Sequence, residues 1–483
     1  MARYLDVCLN RIDFADPSNF DQLDALFPAM QSSPRYQAAS LEEDRGSLAW
    51  GAAIAARAYL QMYRHSGNER YLRRFIGNAE QFLLGRDTEV DSTDYRGITA
   101  PAWRSGQPYT TNICAIEIDD CPARLEIRSK NAVSVEIRQH DDSFDLIFLD
   151  QSKSIMAEFS DLVLEENAER FVGRVLAERG WRQPLPAARM TGMVHNGALP
   201  PEGTFILQEQ FYVSAVETGQ ICTALLEFCV LVHDQVELFK FQKYATRFQA
   251  AAADALRFHE PDIRPSRNGA CFIIAANAPY DFESTDAPLN HGLSIARCYI
   301  QLAKLTNNTI YRNIAESLLR HFYADLEIVT TDGGEAYVWP YFTRAGINYA
   351  GYGVDDHVSE WRKFRKSNKR CEDASHAVVA IEAAVEGFKA GLVFDDIDMK
   401  RFSETFNSLM CTSDEVGATL TNFIDGSAGT GKYASVAGRW AVLAPWSHEL
   451  LERASDIMNA NQPAPEHATV LLSMATLATA RSL

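Results

Sequence analysis

Residues 50–82 read W-G-A-A-I-A-A-R-A-Y-L-Q-M-Y-R-H-S-G-N-E-R-Y-L-R-R-F-I-G-N-A-E-Q-F, and residues 291–322 read H-G-L-S-I-A-R-C-Y-I-Q-L-A-K-L-T-N-N-T-I-Y-R-N-I-A-E-S-L-L-R-H-F. In both stretches apolar residues recur at three-and-four spacing on either side of a polar turn, S-G-N or T-N-N. Each stretch is therefore predicted to form a hairpin of two antiparallel helices.

The two stretches are copies of one pattern. Three pairs of residues correspond within one residue of a constant offset: Gly51 with Gly292, Tyr59 with Tyr299, and Tyr71 with Tyr311. A looser third copy begins at 217, and a fourth spans 376–391. Repeated helical hairpins predict a mainly α fold, a toroid of helix pairs around an axis with the chemistry carried by loops at one end.

Between the first two copies the period of the pattern changes. R-L-E-I-R-S-K-N-A-V-S-V-E-I-R (124–138) alternates apolar and polar residues, and F-D-L-I-F-L-D (144–150) continues the alternation. This predicts a small antiparallel β insertion at 112–178. The chain would then consist of an N-terminal segment with the first hairpin (1–111), the insertion, and the remainder of the toroid (179–483).

Composition limits the classes of partner and compartment. The 483-residue chain has a formal charge of −18, which argues against nucleic acid or an anionic membrane as partner. Its nine cysteines lack CxxC spacing, and Cys222 and Cys229 are predicted to be buried free thiols in a reducing, cytoplasmic compartment. The charged N-terminus predicts no secretory signal, and no apolar run is long enough to suggest a membrane span.

No cofactor or metal site is expected from the motifs. Neither HExxH nor a Cys/His ligand set is present. G-S-A-G-T-G-K-Y (426–433) matches a P-loop except at its last position, where Tyr433 replaces the Ser or Thr that binds magnesium. We therefore predict no nucleotide site.

The segment C-E-D-A-S-H-A (371–377) opens a predicted helix. Glu372 and Asp373 fit capping of that helix and interaction with its dipole, which is a purely structural role. His376 follows one turn later, and His291 occupies the analogous position in another hairpin. A lone histidine on such a face is more often a core residue than a catalyst, but the repeated position makes both candidates for acid–base chemistry.

Three further stretches supply candidate binding residues. In Y-V-W-P-Y (337–341) Pro340 favours an extended backbone, so Tyr337, Trp339 and Tyr341 should share one face. That face suits core packing or, alternatively, sugar stacking and proton transfer. The basic run 361–370 offers Arg362 as a carboxylate clamp, although solvated loops are often basic. The acidic and aromatic loop 86–104 resembles a cleft rim, with Trp103 and Arg104 as binding residues.

With these motifs, the chain resembles the α/α-toroid carbohydrate-active proteins, which include toroidal polysaccharide lyases and the helical domain of glucuronyl C5-epimerases. The resemblance covers most of 40–460 outside the insertion. It rests on the first hairpin, R-D…D-Y-R-G…P-A-W, A-P-L-N-H-G, Y-V-W-P-Y and E-D-A-S-H-A.

The resemblance implies a lyase that cleaves a uronate-containing glycan by β-elimination. Asn290 and Arg362 would neutralise the uronate carboxylate, His376 or His291 would remove the C5 proton, and Tyr337 or Tyr341 would protonate the leaving oxygen. The expected partner is a carbohydrate.

Other functions stay open at this point. A six-hairpin glycoside hydrolase would use two carboxylates, for which Asp373, Glu372, Asp94 and Glu217 are available. A uronate C5-epimerase, a non-catalytic glycan-binding toroid and an isomerase with an apolar substrate also fit the fold. Facing carboxylates in the cleft would favour hydrolysis, whereas His, Tyr and Asn with Arg would favour elimination or epimerisation.

Overall fold

The computed structural model describes residues 12–31, 46–106, 109–179, 186–415, 417–464 and 467–482. Within these ranges, helical hairpins make up most of the molecule. Their helices are α1 (Phe20–Gln31), α2 (Ala53–Ser66), α3 (Arg70–Leu84), α5 (Ala215–Asp234), α6 (Gln242–His259), α7 (Leu289–Thr306), α8 (Thr309–Tyr323), α10 (Ala374–Lys389), α11 (Asp396–Glu404), the 3₁₀ segment Ala434–Trp446, α12 (Glu449–Asn461) and α13 (Ala468–Ala480). Two shorter helices, α4 (Val172–Arg179) and α9 (Ile347–Ala350), lie in the connections.

Six of these elements form a closed inner ring. In chain order α2, α5, α7, α10, the 3₁₀ segment and α13 each pack against the next, and α13 packs back against α2. The outer helices α3, α6, α8, α11, α12 and α1 each pack on at least one member of the ring. The prediction of an α/α toroid of helical hairpins is confirmed, and the described residues contain six inner–outer helix pairs, five of them hairpins and the sixth formed by α13 with the distant α1.

The local sequence explains where the hairpins turn. Helix α2 ends at Gly67, whose φ of 67° lies in the left-handed region that glycine adopts most easily. Helix α7 ends in the same way at Asn307, and the next residue, Asn308, caps α8 by accepting a hydrogen bond from the Ile310 amide. The predicted turns S-G-N and T-N-N are therefore real helix boundaries.

One inner helix is largely apolar because neighbours surround it. Helix α5 is, among the described helices, the one long and apolar enough to cross a membrane, and 94% of its most apolar window is buried within the protein. Cys222 and Cys229 lie on it as buried free thiols. The expectation that no apolar run is long enough for a membrane span does not hold for this helix by length and composition, and its burial is explained by its place in the ring.

The connections differ in length at the two ends of the ring. At the C-terminal ends of the inner helices the chain turns within a few residues. At their N-terminal ends the connections are long and contain the hairpins β9–β10 (Ile263–Ser266, Gly269–Phe272), β11–β12 (Glu327–Thr331, Gly334–Val338) and β13–β14 (Cys411–Asp414, Gly417–Leu420). Side chains for a surface site are therefore concentrated at the N-terminal end of the ring.

The β insertion is larger than predicted. Its strands are β1 (Thr110–Glu117), β2 (Ala123–Ser129), β3 (Ser134–Gln139), β4 (Phe144–Leu149), β5 (Ile155–Leu162), β6 (Ala187–Gly192), β7 (Gly203–Ile206) and β8 (Gln208–Phe211). They form two antiparallel sheets, β6-β2-β1-β8 and β5-β4-β3-β7, around a separate apolar core. The prediction of 112–178 missed β6 to β8 because two of these strands have only four residues.

The insertion contacts the basic run. The Trp361 ring lies between two guanidinium groups of the insertion, 4.1 Å from that of Arg128 and 4.5 Å from that of Arg189. Arg365 in the same run stacks 4.2 Å from the Phe282 ring. Part of the basic run therefore has a structural role, holding the insertion and the long connections together.

Candidate active site

The N-terminus of α10 presents a histidine–carboxylate pair. Asp373 is the capping residue of α10, and its side chain accepts hydrogen bonds from the backbone amides of Ser375 and His376 at 3.0 and 3.1 Å. Its second oxygen lies 2.7 Å from His376 Nδ1. Because a carboxylate can only accept, Nδ1 carries the hydrogen, and Nε2 of the neutral imidazole is left as an acceptor.

This pair has the electrostatics of an acid–base group. Burial raises the pKa of Asp373, but the hydrogen bond and charge of His376 outweigh burial and hold that pKa well below its usual range. Burial lowers the pKa of His376, but the hydrogen bond and charge of Asp373 outweigh burial, so that this pKa is raised overall. The His376 side chain is 35% exposed, so a substrate can reach it.

Aromatic rings and cations surround His376. The Trp50 ring lies 6.1 Å and the Tyr341 ring 5.7 Å from the imidazole, both edge-on. The exposed Arg370 guanidinium lies 5.1 Å from the Tyr341 ring centre. Asp373 bridges to Phe423, and Thr421 bridges to Thr430. The segment that carries the exposed Lys432 therefore lies on the same side of the molecule as Asp373.

Tyr341 is a phenol that stays protonated. Its ring is 8% exposed, and burial together with the charges of Glu372 and Asp373 raises its pKa. A hydrogen bond with Asn290 acts in the opposite direction. Tyr341 can therefore donate a proton or a hydrogen bond at neutral pH, beside an imidazole that can accept one.

Glu372 lies behind this group rather than in the open cleft. It is fully buried, and its two oxygens accept hydrogen bonds from Asn290 Nδ2 at 2.8 Å and Trp339 Nε1 at 2.5 Å. Burial raises the pKa of Glu372 to about 7. The carboxyl group joins the head of α10 to the head of α7 and fixes the amide of Asn290.

His291 is also in the interior. It is 3% exposed, and its Nε2 lies 3.5 Å from the Tyr109 hydroxyl, with the Tyr109 and Tyr280 rings 6.3 and 6.4 Å away. Burial, with a smaller effect of the His376 charge, lowers its pKa to about 3. His291 is therefore neutral near pH 7, and its surroundings are aromatic.

The structure places four predicted site residues elsewhere. The Tyr337 hydroxyl donates to Asp398 on α11 at 2.6 Å. Trp103 is fully buried and donates to the Phe82 carbonyl at 2.7 Å. The remaining two are paired with aspartates: Arg104 with Asp87 at 3.3 Å and Arg362 with Asp281 at 3.4 Å.

The backbone explains why Tyr337, Trp339 and Tyr341 do not act as one row. Strand β12 ends at Val338, and the chain at Pro340 bridges instead to Cys371. Tyr337 and Trp339 both contact the Phe402 ring in the core, whereas Tyr341 turns to His376. The expectation of a shared face at period two is wrong for Tyr341 because the strand stops three residues earlier.

The two other carboxylates considered for hydrolysis, Asp94 and Glu217, are each held in their own part of the fold. Asp94 accepts hydrogen bonds from the amides and the guanidinium of its own turn, including Arg96 Nε at 2.8 Å. Glu217 is 2% exposed in the first turn of α5. The described residues contain no group of three or more His, Cys, Asp or Glu that could hold a metal ion.

Three neighbours of His376 were missed as candidates: Trp50, Arg370 and Lys432. Trp50 stands in the first copy of the repeat where His291 stands in the second copy. The repeat could therefore have identified Trp50 as a candidate. Arg370 was in the basic run but was not singled out, and Lys432 lies in the false P-loop match. The position of Arg370 directly before C-E-D-A-S-H-A was a usable local signal, whereas nothing local in the sequence connects Lys432 with His376.

Comparison with known proteins gives little beyond architecture. No protein-family model and no curated protein sequence matches the chain. The crystal structure of a family 76 glycoside hydrolase from a bovine Bacteroides thetaiotaomicron strain is similar at 10% identity and a TM-score of 0.30, over 73% of this chain and 78% of that chain. The endo-beta-1,4-glucanase CMCax from Acetobacter xylinum is similar at 12% identity and a TM-score of 0.25, over 56% and 89% of the two chains. Neither name is that of a lyase.

Proposed function

We propose that this chain is a carbohydrate-active enzyme whose active site lies at the N-terminal end of the ring, around His376. The observation that carries the proposal is the Asp373–His376 pair, 2.7 Å apart, whose imidazole is accessible beside Tyr341. Such a pair positions a base, and a neighbouring phenol supplies the acid.

The reaction that this arrangement supports best is β-elimination from a uronate. Arg370 and Lys432 would attract the substrate carboxylate and make the adjacent C5 proton more acidic. His376 Nε2 would remove that proton while the C4–O bond breaks and a C4=C5 double bond forms. Tyr341 would give its proton to the departing oxygen. Trp50 offers an aromatic edge to the sugar.

Glycoside hydrolysis is the second candidate, and one observation favours it. The pKa of about 7 for Glu372 is suited to a general acid. However, this carboxyl group is fully buried and already accepts two hydrogen bonds, and no second open carboxylate faces it among the contacts described above. Hydrolysis through Glu372 would require the site to open.

The test measures two products from the same incubation. The purified protein is supplied with uronate-containing polysaccharides and oligosaccharides, and the ultraviolet absorbance of the C4=C5 bond is followed together with the release of reducing ends. We expect both signals to rise, and we expect His376→Ala and Tyr341→Phe to remove both. Reducing ends without absorbance, lost in Glu372→Gln, would instead identify the hydrolase.

A matched control is available within the same motif. Tyr337→Phe removes a phenol that is bonded to Asp398 on the outer helix, so activity should change little. If Tyr337→Phe abolishes activity while Tyr341→Phe does not, the proposed acid is wrong. An epimerase would show neither product but would exchange the C5 hydrogen with deuterium from the solvent, and that result would replace elimination.

A further inference from the structure

The end of the ring opposite His376 contains a cavity of about 1020 Å³. The C-terminal halves of all six inner elements line it, so it lies on the axis of the ring at the end with the short turns. None of the acid–base groups of the proposed active site lines it. The cavity is therefore separate from that site.

A buried ion network closes the cavity towards the centre of the ring. Arg57 lies 3.0 Å from both Glu227 and Glu382. Arg297 contacts the same two carboxylates and also Glu386, at 2.7 Å. Since Arg439 also pairs with Glu382, the network holds three arginines and three glutamates. It is balanced in charge and needs no counter-ion from a ligand.

Two groups at the edge of this network are turned towards the cavity. The Glu386 side chain is 21% exposed, whereas those of its Arg297 partner and of Glu382 are 1% and 5% exposed. The Gln301 amide donates to Glu386 at 3.0 Å, but its Oε1 atom is buried and accepts no hydrogen bond from the described residues. The partly exposed carboxylate of Glu386, which Gln301 orients, can accept a hydrogen bond from an occupant that donates one, such as a hydroxyl group.

The mouth of the cavity is positive in a strongly acidic protein. Lys304 pairs there with Asp234, and Arg312 donates to the last carbonyl groups after α10. Arg64 and Lys389 are exposed lining residues, and neither forms an ion pair with another described residue. These two cations are available for a negatively charged group of a ligand.

We propose that this cavity is a binding site for a small molecule that carries both an anionic group and hydroxyl groups, which is the chemistry of a sugar acid or a sugar phosphate. The anion contacts Arg64 and Lys389 at the mouth, and a hydroxyl group donates to Glu386, oriented by Gln301, at the floor. The site is distinct from the one around His376, and it requires no particular reaction there.

Calorimetric titration of the full chain tests the proposal. The His376→Ala variant is used as the host protein, so that binding at the other end is weakened. The probes are glucuronate, glucose 6-phosphate, neutral glucose and inorganic phosphate. We expect at least one anionic sugar to bind about tenfold or more tightly than both glucose and phosphate. The better of the two sugars identifies carboxylate or phosphate as the preferred anion.

Variants then locate the bound molecule. Arg64→Gln combined with Lys389→Gln should weaken binding about tenfold or more, and Gln301→Leu should weaken sugar binding but not phosphate binding. Lys400→Gln on α11 is the control, because Lys400 is exposed and does not line the cavity. The proposal is overturned if neither sugar binds, if phosphate binds as tightly as the sugars, or if the control weakens binding as much as the double variant.

Discussion

Glu372→Gln should make the protein more stable at alkaline pH, although it alters a fully buried, hydrogen-bonded side chain. Burial raises the pKa of Glu372 from 4.5 to about 7 in the folded protein. Between these two values the folded state binds more protons than the unfolded state, so the free energy of unfolding falls as the pH rises. Below about pH 4.5 both states are protonated and the effect disappears.

The magnitude follows from the same values. The pKa of Glu372 differs by about 2.5 between the folded and unfolded states, and a difference of one in pKa is worth about 1.4 kcal/mol. The ionised carboxylate therefore lowers the free energy of unfolding by about 3 kcal/mol above pH 7. Glutamine has the shape of the protonated carboxyl group: its oxygen accepts from Trp339, and its NH2 group donates to Asn290 Oδ1, which accepts no hydrogen bond from the described residues, once the Asn290 amide turns over. We therefore expect a stability close to that of the natural protein at about pH 5, and a gain of up to about 3 kcal/mol at about pH 8.

The assay is urea denaturation of both proteins at several pH values. Other groups titrate in this range, but their contributions cancel in the difference between the two proteins. Glu158→Gln in the exposed strand β5 is the matched control and should show no such difference. If the difference between natural protein and Glu372→Gln does not grow with pH, Glu372 is not held as a buried, destabilised carboxylate and the description of the site is wrong.

The remaining predictions concern charge and packing. Asp373→Asn should lower the pKa of His376, because burial then acts on the imidazole without its carboxylate partner, and an NMR titration of the imidazole or the pH profile of activity would move to lower pH. Arg297→Ala should cost about 3–5 kcal/mol in denaturation, because it leaves buried glutamates unpaired. Gly438→Ala should cost about 1–3 kcal/mol, because its Cβ would lie 2.7 Å from a backbone oxygen of α13.

Each of these predictions has a contrary outcome. An unchanged His376 titration in Asp373→Asn would mean that the pair does not interact as its 2.7 Å distance indicates. For Arg297 the control is Arg320→Ala, which removes an exposed pair with Glu316 and should cost less than about 1 kcal/mol. Equal costs for the two arginine variants, or a Gly438→Ala protein as stable as its parent, would contradict the packing described for the ring.

The toroid was predictable because its signal is local and repeated. Each hairpin combines a period of 3.6 with a polar turn, and residues such as Gly67 and Asn307 adopt the left-handed conformation that such a turn requires. The β insertion was recognised, but its last strands are short and follow a helix, so the alternation of apolar and polar residues was too brief to show them.

The site was predictable only where several candidates stand on one helix start. Asp373 and His376 are three residues apart, so a helical turn brings them together whatever the rest of the chain does. Arg370 lies in the connection that leads into α10, six residues before His376, whereas Trp50 and Lys432 come from two other connections that only the closed ring brings to the same end. Tyr337 and Tyr341 lie in different environments because β12 ends at Val338, between them. The alternation of residues does not show where a strand ends.

The contact between α2 and α13 also constrains how the protein can be made. The Thr479 hydroxyl donates to the Gln61 carbonyl, a hydrogen bond between residues 418 positions apart. During synthesis the first hairpin therefore leaves the ribosome with one apolar side uncovered, and that side stays uncovered until nearly the whole chain has been translated. Contacts between such distant segments slow folding, and exposed apolar surface invites aggregation in the meantime. The first hairpin is thus expected to be exposed to aggregation for longer than a hairpin that packs on its neighbour in sequence at once.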